Sequence, residues 1–279
     1  MKTINFFIAS VMILNACNTP DKIFQRDLET HFVNADNNIP VMTDESIAHL
    51  PYAIQNYLYH CGYVGKEIPM NGELLWKNSR IKMKPDGKWL NLKTYQYNSV
   101  EKPFRIALMK ARMAGIVPFD GRDIYHDGYA SMLGKIMKGI TVINANDKET
   151  AQSAAIVLLA EVLMVPGYIF QDYIYWEEVD SLTVKGTIEN REIKAEALFH
   201  FNEKGEYIKF HTNDRNFDNG DGTCRKVPYS INIGEYRKID HFITPTYVSA
   251  VWHLAEGDYE YWQGNIEKIK FNINLEKKY

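Results

Sequence analysis

The chain has 279 residues, of which 46% are hydrophobic and 24% are charged, so it can bury one large core or two small ones. A formal net charge of -3 and a pI near 6.3 leave no general basic surface, which excludes nucleic-acid binding driven by phosphate neutralisation. An aromatic share of 13% is typical of curved sheets. We therefore expect a single globular domain with no nucleic-acid partner.

The first residues have the pattern of an export signal. Met1 and Lys2 precede an apolar run from Ile4 to Leu14, and the sequence then reads Leu14-Asn15-Ala16-Cys17. This order resembles a bacterial lipoprotein signal, in which a small residue precedes a cysteine that receives a diacylglyceryl group. We predict that residues 1–17 are a lipoprotein signal peptide ending at the lipidated Cys17. The alternative is an ordinary secretory signal in which this cysteine is incidental.

The leader also predicts where the protein resides. A lipidated Cys17 makes the lipid bilayer a partner and places the protein in the bacterial cell envelope, anchored on the periplasmic side. The next residue is Asn18 rather than the Asp that retains some lipoproteins in the inner membrane, which favours the outer membrane. No later apolar stretch reaches the roughly 18 residues that a membrane-spanning helix needs.

The segment after the leader is polar, and we expect residues 18–43 to be a flexible tether before a single domain over residues 44–279. Thr43 or Asp44 opens a predicted helix that ends at Cys61-Gly62, with Pro51 marking a kink or a first turn. Cys61 and Cys224 have the option of pairing in an oxidising compartment, and the sequence leaves open whether they do.

A first run of strands is predicted from Gly72 to Ile143. Pro85-Asp86-Gly87 is a turn in which proline presets one dihedral angle and glycine accepts a positive φ, and Asp120-Gly121 indicates another turn. Arg105, Ala107 and Met109 alternate with more apolar neighbours, as expected of a strand with two different faces.

A long helix is predicted from Asn146 to Pro166. Asn146 is placed to cap it, and Pro166-Gly167 stops it. Apolar side chains surround most of this helix, so it must be buried by protein, and we expect Leu158, Leu159 and Val162 to face the sheet. Some of Val157, Leu163 and Met164 should then face a ligand.

A second run of strands follows, with alternating segments over 182–188, 193–201 and 207–212 and further strands to residue 275. The order of helix, strands, helix and strands predicts an α+β fold. We expect a curved antiparallel β half-barrel with the central helix packed in its concave face, together with an N-terminal helix.

Motifs of known chemistry are missing from the sequence. There is no CxxC, HExxH, GxSxG or P-loop pattern, and the 8 histidines are scattered, so we predict no metal and no cofactor and assign no catalytic residue. The segment DRNFDNGDG places oxygen ligands at Asp214, Asn216, Asp218 and Asp221, as calcium loops do. Arg225 stands where the closing carboxylate would be, so a polar hairpin loop is favoured.

Glu161 is the lone carboxylate in the apolar half of the predicted central helix. A buried carboxylate needs a cation or a proton, and Arg122, Arg112, Arg105 or Arg215 on facing strands is a candidate for the cation. Arg122 lies beside Asp123 and Tyr125 in a glycine-flanked segment. A structural ion pair is favoured, and a catalytic acid or a contact to a ligand headgroup is the alternative.

The order of several motifs resembles a family of uncharacterised bacterial envelope proteins known as a domain of unknown function. The resemblance covers roughly Ile47 to Phe271 and rests on motifs that include Arg122-Asp123-x-Tyr125, Leu159-Ala160-Glu161, Trp176 and Arg215. The order of elements also resembles the half-barrel of periplasmic, Lol-type lipoprotein carriers, which implies an apolar cavity between a curved sheet and a helical lid.

These observations give three hypotheses. The first is an envelope lipoprotein whose half-barrel cavity binds a lipid or another apolar or acylated ligand. The second is a hydrolase-like enzyme that uses Glu161 with Arg122 or Asp123, and the third is a structural or assembly lipoprotein with a filled core. The candidate cavity or buried polar cluster consists of Arg122, Asp123, Tyr125, Leu159, Glu161, Trp176 and Arg215.

Overall fold

The computed structural model describes residues 19–275. The predicted signal peptide and Cys17 lie outside these residues, and the lipoprotein signal stays a prediction.

Antiparallel strands make up most of the described chain. Their bounds are β1 Asn71–Ile81, β2 Leu90–Ser99, β3 Phe104–Met113, β4 Val117–His126, β5 Tyr129–Ile136, β6 Ile140–Ala145, β7 Ile174–Asp180, β8 Thr183–Asn190, β9 Ile193–Phe201, β10 Tyr207–Thr212, β11 Asn216–Asp218, β12 Cys224–Lys226, β13 Tyr229–Ile239, β14 Phe242–Leu254 and β15 Gly257–Phe271. Thirteen of these described strands form one open sheet in the order β6-β5-β4-β3-β2-β1-β15-β14-β13-β10-β9-β8-β7, and β11 and β12 form a separate hairpin. The predicted antiparallel sheet is confirmed.

The two runs of strands join in the middle of this sheet, where β1 pairs with β15. Asp120 and Gly121, predicted as a turn, lie inside β4 and pair with β3 and β5. The prediction of a turn there is wrong because the strand pairing on both sides satisfies the backbone of these residues, and Gly121 fits beneath the Phe119 ring.

Four α-helices accompany the sheet in the described residues: α1 Pro20–His31, α2 Asp44–Ile47, α3 Tyr52–Cys61 and α4 Lys148–Glu161. Thr43 caps α2 through a capping box with Ser46, Pro51 precedes α3, and Gly62 ends α3 in the left-handed conformation at φ 75. The predicted interruption at Pro51 and the end at Gly62 are therefore confirmed.

The central helix α4 is capped by Asp147 rather than Asn146, because the Asp147 carboxylate accepts a hydrogen bond from the Thr150 amide at 2.8 Å. It ends at Glu161, and Pro166–Phe170 then forms a short 3-10 helix. The helix contacts β4 and β5 from the first run of strands and β8 and β9 from the second. It thus covers one face of the sheet and is held by both halves.

The predicted tether over residues 18–43 is corrected by α1. Phe24, Leu28 and Phe32 are buried in a cluster with Phe104, Ile106, Leu108 and Ile124 of β3 and β4. The spacing of four residues puts Phe24, Leu28 and Phe32 along one side of the helix, while the polar residues between them gave the segment its tether-like composition. We call the sheet face under α1 the outer face and the face under α4 the inner face.

Candidate functional site

A cavity of about 190 Å³ lies between α4 and the inner face of the sheet. Its apolar lining includes Ile81, Met109, Met132, Val157, Met164 and Ile231. Its polar lining includes Gln96, Arg105, Asp123, Glu161, Arg215 and Tyr261. Three of the residues predicted from the sequence, Asp123, Glu161 and Arg215, are therefore brought together around one cavity.

Arg105 joins the two carboxylates of this cavity. Its Nε donates to Glu161 Oε2 at 2.8 Å, and its Nη1 donates to Asp123 Oδ2 at 2.9 Å. Burial acts to lower the pKa of Arg105, but Glu161 and Asp123 outweigh it and raise that pKa above its ordinary value. The guanidinium therefore stays charged and is held by an acidic residue from α4 and one from β4.

Neutral side chains complete the bonding of Glu161. Gln96 Nε2 donates to Glu161 Oε2 at 2.7 Å, and Gln96 Oε1 in turn accepts a hydrogen bond from Trp76 Nε1 at 3.0 Å. Only 10% of the Glu161 side chain is exposed. The buried carboxylate is thus held by the charged donor Arg105 and the neutral donor Gln96, and Trp76 fixes the orientation of the Gln96 amide.

Arg122, one of the four arginines proposed from the sequence as the cation for Glu161, does not take part in this cluster and does not pair with Glu161. Its Nη2 lies 3.0 Å from Asp27 Oδ2 of α1, and its Nη1 donates to the Ser131 carbonyl oxygen at 2.9 Å. Successive residues of a strand point to opposite faces, so Asp123 reaches the inner face while Arg122 reaches the outer face. Arg105 supplies the cation in its place.

Arg215 reaches the cavity in a different environment, among aromatic rings. Its guanidinium carbon lies 4.1 Å from the ring centroid of Tyr229, 4.8 Å from that of Trp252 and 5.5 Å from that of Tyr261. Its Nη1 donates to the Tyr261 hydroxyl at 2.9 Å, and its buried Nε has no hydrogen-bond partner. No salt bridge to Arg215 forms among residues 19–275, so the aromatic ring faces and the Tyr261 hydroxyl are the groups in contact with this cation, and Asp123 acts on it only from a longer distance.

The other predicted site residues lie outside the cavity. Tyr125 donates to Asn190 Oδ1 at 3.1 Å, Leu159 is fully buried in the core, and Trp176 packs against Phe199 with ring centroids 5.1 Å apart. Val157 lines the cavity from the side of α4 away from Leu159, and Met164, three residues past the end of α4, lines it too. The sequence-based prediction did not include Gln96, Tyr229 and Tyr261, which also line the cavity. The alternation along the strands, which puts Arg105 and Asp123 on one face, was the signal that could have identified the cavity side of the sheet.

A hydroxyl, an imidazole and a carboxylate form a chain on the opposite side of the sheet. Ser230 Oγ lies 2.9 Å from His253 Nε2, and His253 Nδ1 lies 2.7 Å from Asp258 Oδ1. The order resembles that of a hydrolytic triad, but Ser230 is only 1% exposed, and His211 Nδ1 also lies 3.0 Å from its hydroxyl. The Ser230 hydroxyl therefore links side chains of β10, β13 and β14 and is too buried for a substrate to reach.

The calcium-like segment forms the hairpin of β11 and β12. Asp218 accepts from the Gly220 amide at 2.7 Å and Asp221 from the Thr223 amide at 2.9 Å, as in ordinary Asx turns. Among the residues that the structure describes, no group of three His, Cys, Asp or Glu side chains is placed to hold a metal ion.

No helix within residues 19–275 is both long and apolar enough to cross a membrane.

The two cysteines of the described chain are free. Cys61 is buried in α3, while Cys224 is exposed in β12. Burial raises the pKa of the Cys61 thiol to about 12, so it packs as a neutral side chain.

Comparison with known proteins gives a family but no activity. Curated proteins include no match to this chain. Among solved structures, it is similar to a LolA superfamily protein from Nitrosomonas europaea, with 11% identity and a TM-score of 0.44 over 80% of this chain and 96% of that chain. The model of a family of unknown function (DUF6544) matches residues 40–264, which include β1 to β14, the first half of β15 and α4. The chain therefore belongs to the DUF6544 family.

Proposed function

We propose that this protein is a lipid-anchored lipoprotein of the bacterial envelope that binds an apolar or acylated ligand. The open sheet would form a half-barrel, with α4 in its concave face and the ligand in the cavity beneath α4. The observation that carries the proposal is the cavity of about 190 Å³, in which methionine, valine and isoleucine side chains surround one polar region.

The size of this cavity limits what it holds. An apolar cavity of about 150 Å³ is large enough for benzene, so the present cavity takes a small ligand or one segment of an acyl chain. Methionine side chains adapt to ligands of different shape because they are unbranched and polarisable. Met109, Met132 and Met164 all line the cavity, so a longer chain is accommodated by their rearrangement.

The polar region favours a ligand with an anionic headgroup. Arg105 is already engaged by Glu161 and Asp123, whereas Arg215 makes one hydrogen bond to a phenol and none to a carboxylate among the described residues. A guanidinium has five N–H donors and binds carboxylates and phosphates in preference to neutral groups. Arg215 is therefore the headgroup contact in this proposal.

The envelope location rests on the leader. Cys17 would carry the acyl chains and make the bilayer a partner of the protein, on the periplasmic side and with the outer membrane favoured by Asn18. Replacing Cys17 with Ser should abolish labelling by a fatty-acid probe in cells. Equal labelling of the Cys17→Ser variant and the parent would overturn the anchor.

The binding proposal is tested by extracting purified protein with organic solvent and measuring released lipid by mass spectrometry. Val157→Trp fills the cavity and should release most of the bound ligand while the protein stays folded. Glu149→Trp places the same bulk on an exposed position of α4 and is the matched control. A parent protein that releases no lipid and takes up no added fatty acid would show that the interior is a filled structural core.

The contacts of Glu161 and Asp123 bear on the alternative that the protein is a hydrolase. Glu161 and Asp123 do meet at the cavity, but both bind Arg105, and Glu161 also accepts from Gln96. Both carboxylates are thus already engaged by protein donors rather than open to a substrate. The arrangement therefore supports binding more than hydrolysis.

A further inference from the structure

Three hairpin turns lie together at one end of the sheet. The strands β1 to β6 follow one another in order and are antiparallel, so the turns between β1 and β2, β3 and β4, and β5 and β6 share one end. We call this the hairpin end. The turns after β3 and β5 are also joined directly, because the Met137 amide donates to the Pro118 carbonyl oxygen at 2.8 Å.

Large apolar side chains are exposed at the hairpin end. The exposed fractions are 75% for Ile116, 65% for Met137, 60% for Ile140 and 56% for Met83. Single exposed apolar residues are normal, but here every one of the three turns carries at least one.

Two of the three turns contain residues in the left-handed backbone conformation. Ala114 and Gly115 have φ of 49 and 79, and Met137 and Lys138 have φ of 52 and 62. Glycine or asparagine is favoured at such left-handed positions, and a bulky methionine there is uncommon. The turn thus presents an apolar side chain outward where a smaller polar residue would fit more easily.

Positive charge surrounds the exposed apolar residues. An open groove of about 600 Å³ beside the turns is lined by Lys93, Lys110, Arg112 and Lys138 together with Asp120. Lys110 pairs with Asp21 of α1, and Asp120 lies near Lys138 and Lys110. This end is basic although the whole chain has a net charge of -3.

The start of α1 lies at the same end. The ion pair of Asp21 with Lys110 fixes it near the end of β3, three residues before Met113. Thr19, the first described residue, is two residues after Cys17. An extended chain spans about 3.5 Å per residue, so an anchor at Cys17 would lie within about 10 Å of Thr19.

We propose that the hairpin end docks on an anionic lipid surface. Ile116, Met137 and Ile140 enter the interface between headgroups and acyl chains, and Lys93, Arg112 and Lys138 contact the headgroups. The anchor at Cys17 belongs to the proposed function and would only strengthen this contact. Ile81 and Met109 line the cavity and lie near this end, so docking would bring the cavity towards the bilayer.

A fluorescent label tests the docking in the full chain. The exposed Cys224 is first removed as Cys224→Ser, and Ile116→Cys then carries an environment-sensitive fluorophore. The matched control is Glu101→Cys in the turn between β2 and β3, which is exposed at the opposite end. The Cys224→Ser protein without an added cysteine gives the background.

Vesicles of phosphatidylcholine with phosphatidylglycerol should shift the emission of the label at position 116 to the blue, and vesicles of phosphatidylcholine alone should do so less. The label at position 101 should not shift. Lys138→Ala should weaken vesicle binding about fivefold, because each basic residue near an anionic surface contributes about 1 kcal/mol, and Lys102→Ala should not weaken it.

Two results would overturn the docking proposal. One is an equal response, or no response, of the labels at both ends. The other is a shift at position 116 that depends on protein concentration without vesicles, which would assign the apolar turns to contact between copies. Neither result affects the lipid-extraction measurement, so failure of docking and failure of ligand binding are distinguishable.

Discussion

Arg105 and Arg122 lie on neighbouring strands but have opposite surroundings. Arg105 points to the inner face and is held by Glu161 and Asp123 beside the cavity. Arg122 points to the outer face and is held by Asp27 of α1. The two side chains are similarly buried, at 11% and 9% exposure, so burial alone does not distinguish them.

The difference shows that the face of the strand decides which arginine serves the site. In the pairing of β3 with β4, Arg122 lies opposite Leu108 on the outer face. The next residue, Asp123, lies opposite Ala107 on the cavity side. A shift by one residue exchanges the faces completely. One arginine fixes the central helix beside the cavity, and the other fixes a surface helix.

The largest expected effect comes from breaking the inner cluster. Glu161→Ala leaves Arg105 with one carboxylate fewer in a buried site, and it should lower the free energy of unfolding by about 3 to 5 kcal/mol. Urea denaturation measures this loss. Glu192→Ala, on a side chain that is 88% exposed, is the control and should change stability little.

Double-mutant cycles separate the two arginines. Arg105→Met and Glu161→Ala together should cost less than the sum of the single changes, because each single change strands the other charge. Arg122→Met and Glu161→Ala should be additive within about 0.5 kcal/mol, since the two side chains have separate partners. Strong coupling between Arg122 and Glu161 would contradict the assignment of the faces.

The outer pair should give the next largest effect. Asp27→Asn keeps the shape of the side chain but removes the charge facing Arg122, whose Nε already lacks a partner. Hydrogen bonds to charged groups contribute about 1.5 to 3 kcal/mol, so a loss in this range is expected from urea denaturation. An unchanged unfolding midpoint would show that α1 is not held by this pair.

The sequence predicts a large part of this structure but not its pairings. Caps and turn residues such as Thr43, Pro51 and Gly62 act locally. The start of α2 and the start and end of α3 can therefore be predicted from the sequence without knowledge of tertiary contacts. The partner of Glu161 depends on strand register, and register is set by pairing between residues far apart in the chain. α1 was missed because its few apolar residues become stabilising only against β3 and β4.

Tryptophan substitutions on α4 distinguish the side of the helix that packs in the core from the side that lines the cavity. Leu159 is fully buried in the core, so Leu159→Trp should overpack it and lower stability by about 1 to 3 kcal/mol. Val157 lines the cavity, so Val157→Trp should cost less and should displace ligand. Thermal or urea unfolding, combined with lipid stoichiometry, checks both; equal destabilisation would indicate that no cavity is available beside Val157.

The smallest expected effect is a pH dependence at the outer face. His126 stacks on His31 of α1 with ring centroids 4.0 Å apart, and burial, followed by the charge of His31, lowers the pKa of His126. The unfolded chain therefore takes up a proton at a higher pH than the folded chain does. Stability is fully present above the ordinary histidine pKa of about 6.5 and declines as the pH falls below it.

The variant His126→Gln should reduce this decline between about pH 7.5 and pH 5.5, a window chosen to stay above the ordinary carboxylate pKa values. Burial also lowers the pKa values of His200 and His211, so part of the dependence should remain. Urea midpoints across the window measure the slope. If parent and variant decline equally, His126 is not the group that couples the packing of α1 on the outer face to pH.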